Sequence, residues 1–359
     1  MLSFPSVPGG TGVRDTALSL LTLVIAALLV IALVFVAYTM LLRLRHERRD
    51  RRWRRLVARW QEPVLLTLSN PARVADVHDQ IEPQDRLHFV RFALEYARRV
   101  RGEEREVLRT LALPYLGPLT ERIYSRHSEI RTRAVQTLGT LGLPRYAAEV
   151  SAALDDPSPL VAMVAARSLA QPEYVEYAPA ILKRLARFDG WSRSFLASML
   201  ASIGPEGAPA LRATFVDPAE EPWVRAVAAD TLLRLDDFSS APLAAQVVEI
   251  EGNRELLAAA LRLLQEVGRP EDVDVVRVRC ASPDFVIRSH ALSALGTLGG
   301  DEDVPSLLGA MADPSPWVAI HAARALLAAG AHALVEDLAD SDHPRAGLAR
   351  QILAEEAVA

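Results

Sequence analysis

His290 and His321 are the two side chains whose type and spacing come closest to a reactive site in this sequence. They lie 31 residues apart, and an imidazole can bind a metal ion or change its charge near neutral pH. A metal site needs three or more converging ligands, however, and no acidic residue or cysteine recurs at the matching spacing. The sequence therefore predicts no metal and no other cofactor, and the two histidines remain candidates for contact with a protein ligand.

The motifs that mark common enzymes are missing. The sequence contains no phosphate-binding G-x-x-x-x-G-K-[ST], no G-x-S-x-G, no H-E-x-x-H and no dinucleotide-binding fingerprint. Cys280 is the only cysteine, so the chain can form neither an internal disulfide nor a zinc site built from several thiolates. We expect a protein that is not an enzyme.

Arginines and tryptophans recur at a regular spacing and are the other candidate binding residues. They are Arg131, Arg193, Arg225, Arg288, Trp191, Trp223 and Trp317. Tryptophan and arginine are enriched at the centres of protein–protein interfaces. Each type also has a structural interpretation, because a large ring can pack over a nearby loop and a buried guanidinium needs an acidic partner. The sequence leaves both interpretations open.

These residues are positioned by seven similar segments between residues 130 and 330. Taking the second residue of each segment as its anchor, the anchors are Arg131, Ala162, Arg193, Arg225, Leu257, Arg288 and Ala319, spaced by 31 or 32 residues. Apolar residues at −1, +3, +7 and +10 from the anchor predict one amphipathic helix per segment. Glycine at +11 in five of the seven predicts the end of that helix, and Asp-Pro pairs before several segments predict its start. The chain is thus predicted to be an all-α repeat array.

The segments follow the pattern D-P-x-x-x-V-R-x-x-A-x-x-A-L-G-x-L-G, which resembles HEAT repeats in the short form called PBS-lyase-like. The resemblance covers about residues 125–330 and implies a right-handed α-solenoid of about seven to eight helix pairs. It also implies that the anchor arginines pair with acidic residues near the turns, and that the second helices line a concave groove. Iron-binding HEAT-type hydroxylases carry recurring His-Glu pairs, whereas the one such pair here is His46-Glu47.

The segments on either side of the array are less regular. Residues 63–124 read as degenerate N-terminal repeats or a cap, and residues 331–359 read as C-terminal capping helices. A repeat array needs atypical ends because its terminal units would otherwise expose their apolar faces.

Residues 18–42 contain no charge, proline or glycine and predict one transmembrane helix. About 20 apolar residues suffice to cross the hydrocarbon core of a bilayer. A cleaved signal peptide is disfavoured because residues 1–17 lack a basic region and the apolar run is long. Residues 1–17 are therefore expected to form a short N-terminus outside the cytoplasm.

An arginine-rich helix is predicted over residues 43–62. Its candidate lipid head-group residues are Arg43, Arg45, Arg48, Arg49, Arg51, Arg52, Trp53, Arg54 and Arg55. By the positive-inside rule this cluster places the remainder of the chain in the cytoplasm. The arginines either bind anionic lipid head groups or serve as a topology signal alone.

The charge distribution limits the class of partner. Residues 1–60 carry ten arginines against three acidic residues, and the net charge of −5 for the whole chain leaves −12 for the rest. An acidic body argues against nucleic acid as the ligand. We expect a single-pass inner-membrane protein whose solenoid is a cytoplasmic scaffold for another protein.

The layout is also similar to bacterial one-span HEAT proteins whose genes can accompany membrane glycosyltransferases. That resemblance implies a glycosyltransferase or another envelope complex as the partner. Two alternatives remain open: a lyase-like or hydroxylase-like HEAT enzyme, and a sensor of anionic lipid surfaces.

Overall fold

A computed structural model of the chain describes residues 11–97, 99–100 and 102–357, and all regular structure in these residues is helical. The predicted all-α fold is confirmed. The chain divides into two compact units, Met1–Tyr115 and Leu116–Ala359, which are described separately. Residues 1–10 of the predicted N-terminal segment lie outside the described residues, and the predicted domain boundaries stay predictions.

The described residues of the first unit form four α-helices, of which the first is very long. They are α1 (Thr11–Ser69), α2 (Val74–His78), α3 (Arg86–Ala97) and α4 (Glu103–Ala112). The arginine-rich helix predicted over residues 43–62 is part of α1, which continues through Pro63 for more than another turn. The hydroxyl of Thr67 donates a hydrogen bond to the Pro63 carbonyl (2.8 Å). The C-terminal part of α1 is held by packing, because the ring of Trp60 is fully buried edge-on against Phe89 (5.3 Å between centroids).

The second unit alternates short and long helices. They are α5 (Gly117–Arg122), α6 (Ser128–Leu141), α7 (Ala147–Ala152), α8 (Pro159–Leu169), α9 (Ala178–Leu182), α10 (Arg193–Ala201), α11 (Ala208–Val216), α12 (Pro222–Arg234), α13 (Ala241–Ile250), α14 (Arg254–Val267), α15 (Val273–Arg279), α16 (Phe285–Leu298), α17 (Val304–Ala310), α18 (Pro316–Ala328), α19 (His332–Asp340) and α20 (Ala346–Glu356). Each of the seven repeat segments forms the second helix of a pair, from α6 to α18 in steps of two.

Short 3₁₀ turns join many of these helices in both units. They are Pro71–Arg73, Pro83–Asp85, Leu113–Tyr115, Pro144–Tyr146, Ala153–Asp155, Pro172–Tyr177, Leu185–Phe188, Pro205–Gly207, Phe238–Ser240, Pro270–Asp272 and Asp301–Asp303. Most begin with proline, whose fixed φ suits the first position of a helical turn.

The second helices stack on one another in chain order. Helix α6 packs on α8, and α10, α12, α14, α16 and α18 form a continuous row, while α11, α13, α15 and α17 each pack against the second helix that follows. The predicted alanines at +3 are buried at the contacts: Ala134, Ala165, Ala228, Ala260, Ala291 and Ala322. This arrangement is the solenoid that the periodicity predicts.

Two close helix contacts depend on glycines at +8, a position that is glycine in the repeat pattern. A Cβ on Gly296 of α16 would lie 2.6 Å from Cα of Ala325 in α18, and one on Gly139 of α6 would overlap the side chain of Ser168 in α8. Because the obstacle at Gly296 includes backbone, rotation of a side chain cannot relieve it. Glycine at +8 therefore sets the helix spacing in these two repeats.

Candidate functional site

A groove runs across α10, α12 and α14 of the second unit. It encloses about 740 Å³. Its lining residues are Arg193, Ser194, Trp223, Asp230, Leu233, Arg234, Glu255 and Arg262. Two of the predicted binding residues, Arg193 and Trp223, therefore lie in one concave site built by three consecutive repeats.

Asp230 organises the floor of this groove. Its Oδ2 lies 2.6 Å from Nε of Arg193, and its Oδ1 accepts a hydrogen bond of 2.8 Å from Nη2 of Arg262. The carboxylate is largely buried, and both arginine side chains are about a quarter exposed. Since a guanidinium has five N–H donors, this shared carboxylate holds two cations side by side while leaving donors on each for a ligand.

Arg234 and Trp223 form the rim of the groove. Nη2 of Arg234 donates a hydrogen bond of 2.8 Å to the hydroxyl of Ser194. A hydroxyl is neutral, so this contact orients the exposed guanidinium without neutralising its charge. Trp223 is half-buried and lies in the groove lining near the start of α12, whereas Arg234 is its last residue. Tryptophan and arginine are both enriched at the centres of protein interfaces.

The two histidines lie on α16 and α18, further along the same row of helices. Their ring centroids are 6.1 Å apart, and Nδ1 of His321 is 2.7 Å from the hydroxyl of Ser293. Burial, with a smaller contribution from Arg262, lowers the pKa of His290 to about 4, and burial also lowers the pKa of His321. Both rings are therefore neutral near pH 7 and can act as hydrogen-bonding groups.

Among the described residues, no three His, Cys, Asp or Glu side chains lie close enough together to hold a metal ion. His290 and His321 supply two imidazoles, and their other neighbour is the hydroxyl of Ser293, whereas a metal site needs three or more His, Cys, Asp or Glu ligands. The expectation that the protein uses no metal or cofactor stays a prediction.

Two of the predicted anchor arginines are structural. Arg131 makes paired hydrogen bonds to Asp156 (2.7 and 2.8 Å), and Arg288 does the same to Asp313 (2.9 and 3.0 Å). Each aspartate also accepts a hydrogen bond from the backbone N–H two residues on, at the start of the next second helix. Each arginine thereby ties one repeat to the turn of the next, which is the pairing that the family resemblance implies.

Arg225 has a similar structural role. It is buried, pairs with Glu251 at 3.0 Å and donates to the carbonyl of Phe215 at 2.9 Å. Arg193 departs from the pattern because the residue 25 positions after it, where Arg131 and Arg288 find an aspartate, is Pro218. It turns to Asp230 instead and becomes part of the groove.

The three predicted tryptophans have different surroundings. Trp191 packs edge-on against Phe188 in the preceding turn, with 5.9 Å between ring centroids, as the structural interpretation expects. Trp223 lies in the groove. Trp317 is 62% exposed at the start of α18. The three tryptophans share a position in the repeat, but each lies in a different environment.

The arginine-rich segment lies on α1 in the first unit. Arg52 pairs with the buried carboxylate of Asp85 at 2.8 Å, and Trp53 lies under the guanidinium of Arg91 at 4.4 Å. Arg43 and Arg51 both lie 3.4 Å from Glu47. Arg45, Arg48, Arg54 and Arg55 are exposed, and the side chain of Arg49 lies outside the described residues. The predicted lipid-contacting set therefore divides into residues with contacts inside the unit and residues directed to solvent.

Two of the central groove residues, Asp230 and Arg262, are not among the binding residues predicted from the sequence. Both occupy the +5 position, which is polar in every repeat: Gln136, Arg167, Ser198, Asp230, Arg262, Ser293 and Arg324. A polar position repeated between apolar ones marks the solvent-facing side of the helix row. That signal is visible in the sequence once the anchors are aligned.

Comparisons with known proteins agree with the repeat architecture. Residues 240–328 match the family model described as HEAT repeats. The match supports a HEAT-repeat protein, and the matched segment runs from α13 to α18. No curated protein sequence matches the chain.

Several solved structures align with parts of the chain. One is the crystal structure of Kap121p, with 14% identity over 74% of this chain and a TM-score of 0.41. Another is the complex of CpcE and CpcF of phycocyanin lyase from Nostoc sp., with 18% identity over 66% of this chain and a TM-score of 0.33. The chain spans 34% of the length of Kap121p and 86% of the second chain.

Proposed function

We propose that this protein is a membrane-tethered scaffold that binds another protein in the groove across α10, α12 and α14. The carrying observation is the groove itself, in which a tryptophan and three arginines from three consecutive repeats face one space of about 740 Å³. Concave solenoid faces of this kind suit extended protein segments. The proposal assigns no reaction to the protein.

The tether is the apolar part of α1. Among the described residues, α1 is the one helix long and apolar enough to cross a membrane, and none of that stretch is buried. A helix in the core of a soluble protein would be covered, because exposing apolar surface to water costs about 25 cal/mol per Å². We propose that lipid surrounds this apolar stretch. The exposed side chains next to the lipid head groups are then Arg45, Arg48, Arg54 and Arg55.

The proposed topology places the solenoid in the cytoplasm, because arginines crowd the C-terminal flank of the span. Labelling of intact cells with a membrane-impermeant maleimide tests it through Ser6→Cys before the span and Ser341→Cys in the second unit. Burial raises the pKa of the native Cys280 to about 12, so its thiol should react slowly and give little background. Labelling at Ser6→Cys alone is expected. Labelling at Ser341→Cys alone would reverse the topology, and loss of residues 1–42 from the mature chain would show a cleaved signal sequence.

The proposed partner is a membrane protein, such as a glycosyltransferase or another envelope complex, on the strength of the similar layout. In-cell crosslinking, gentle solubilisation and mass spectrometry of the full chain test this. The comparator is the full chain with Trp223→Ala and Arg234→Gln, because deleting residues 1–60 would remove Trp60 from the core of the first unit. One stoichiometric partner lost from the comparator is expected. Recovery of the wild-type chain alone would contradict the scaffold.

A further inference from the structure

The groove has the opposite charge balance to the unit that contains it. Residues 116–359 carry 22 basic and 33 acidic side chains. The groove lining carries three arginines, Arg193, Arg234 and Arg262, against Asp230 and Glu255. A locally positive concavity in an acidic body attracts a short anionic segment, whereas a long polyanion would also meet the surrounding acidic surface.

The arrangement of the three arginines, in addition to their charge, favours a carboxylate as the bound group. Asp230 forms an ion pair with Nε of Arg193 and accepts a hydrogen bond from Nη2 of Arg262, so the two guanidiniums are held together before any ligand arrives. The hydroxyl of Ser194 orients the third guanidinium, which belongs to Arg234. Guanidinium groups bind carboxylates through paired, charge-assisted hydrogen bonds, and groups that are already oriented lose less conformational entropy on binding.

We propose that the groove binds an acidic segment of the partner protein, with a carboxylate seated among Arg193, Arg234 and Arg262 and an apolar neighbour against Trp223. This inference rests on the scaffold function and adds the chemistry of the recognised segment. Asp230 has two roles in it, since it positions two of the arginines and its own charge limits the affinity for a second carboxylate.

A defined probe tests the inference on the full chain in detergent or in nanodiscs of uncharged lipid. The probe is a fluorescein-labelled dodecapeptide of Glu-Glu-Leu repeats, and its twin carries Gln in place of Glu. Fluorescence anisotropy measures binding at low and at near-physiological salt. The acidic peptide is expected to bind with an affinity that falls as salt rises, because ions screen the attraction, and its twin is expected to bind at least about tenfold more weakly.

Three variants locate the binding. Arg234→Gln changes an exposed side chain whose contact is a serine hydroxyl, so it should fold normally and bind the acidic peptide about tenfold more weakly. Asp230→Asn removes the competing negative charge but keeps a side-chain oxygen that can hold the arginines in place, so this variant should bind the peptide several-fold more tightly. Arg269→Gln is the matched control, because Arg269 is an exposed arginine outside the groove lining that pairs with Glu271 at 3.5 Å, and it should bind like the wild type.

Equal binding of the two peptides, or equal losses in Arg234→Gln and Arg269→Gln, would overturn the inference. Weaker binding by Asp230→Asn, or tighter binding of a single-stranded oligonucleotide of equal charge, would also overturn it. The scaffold function is judged separately. A partner that crosslinks to the groove while both peptides fail to bind overturns the acidic-segment inference alone, and peptide binding without any captured protein partner overturns the scaffold.

Discussion

Arg131 and Arg288 use their charge to join repeats. Each guanidinium makes two hydrogen bonds to an aspartate and two more to backbone carbonyls of the preceding turn, among them Ser125 and Ser282. Both ends of each ion pair are largely buried. Removing one partner would leave the other carboxylate and the carbonyls without their donors, which costs more than the loss of a surface ion pair.

Arg288→Ala is therefore expected to lower the free energy of unfolding by about 2–3 kcal/mol. Arg269→Ala, at an exposed arginine, is expected to change it by less than about 0.5 kcal/mol. Denaturant unfolding of the purified full chain, followed by circular dichroism, measures both. Equal changes in the two variants would mean that Arg288 does not tie the repeats together.

His290 makes stability depend on pH. Its pKa is about 4 in the folded chain, lowered first by burial and then by Arg262, His321 and Arg193, with Asp230 opposing them. In the unfolded chain the imidazole has its ordinary pKa of about 6.5. Between these values the unfolded chain binds the extra proton, so the stabilisation present above about pH 6.5 is lost as the pH falls toward 4.

His290→Gln should lose less thermal stability than the wild type between about pH 7 and pH 4.5, because the substituted side chain does not titrate. His332→Gln is the control, since His332 is exposed. Melting temperatures at a series of pH values measure the difference. Parallel pH profiles for the wild type and His290→Gln would show that His290 is not held neutral by the fold.

Individual contacts were only partly predictable from the sequence. The pairing of Arg131 and Arg288 follows from the repeat resemblance, because an aspartate stands 25 residues after each. The groove role of Arg193 does not follow, since it depends on how far α10 and α12 rotate against each other. Asp230 lies 37 residues after Arg193, and a spacing that differs from the period gives no signal in a repeat alignment.

At the scale of the helix, the glycines at +8 determine how closely neighbours pack. Gly296 of α16 faces the backbone of Ala325 in α18, whereas Gly309 in the short helix α17 has open space where a Cβ would be. Alanine has the higher helix propensity at both positions. The local environment therefore decides whether a glycine-to-alanine substitution raises or lowers the free energy of unfolding.

Gly309→Ala is expected to raise the free energy of unfolding by up to about 1 kcal/mol, because helix propensity improves without a clash. Gly296→Ala is expected to lower it by about 1–3 kcal/mol, because α18 must move away. Thermal or denaturant unfolding of the two variants shows directly whether each one is more or less stable than the wild type. A stabilising Gly296→Ala would contradict the close contact between α16 and α18.

The second helices were predictable because their apolar spacing repeats seven times. The 3₁₀ turns and short first helices were harder to place, because a helix of five to ten residues presents few turns of periodic pattern. The helix predicted over residues 43–62 continues to Ser69, although proline usually ends a helix. Here the packing of Trp60 and the hydrogen bond from Thr67 hold the helix together through the proline.

At the scale of the molecule, the sequence separates a basic N-terminal part from an acidic C-terminal part. The all-α solenoid follows from its period, but the groove could not be placed in advance. Its lining joins the +5 residues Asp230 and Arg262 with the anchor Arg193 and the −2 residue Trp223. Which positions of successive repeats meet depends on the rotation between helix pairs, and the repeat pattern does not encode that angle.

Site-specific photocrosslinking in cells tests the central claim, that the groove binds a protein, most directly. One full-length chain carries p-benzoylphenylalanine in place of Leu233 in the groove lining, and the other carries it in place of Val278, an exposed residue of α15. We predict one discrete crosslinked protein from position 233, absent at position 278 and reduced by the added Trp223→Ala substitution. Equal crosslinking at both positions, or a partner captured at 278 alone, would contradict the groove as the binding site.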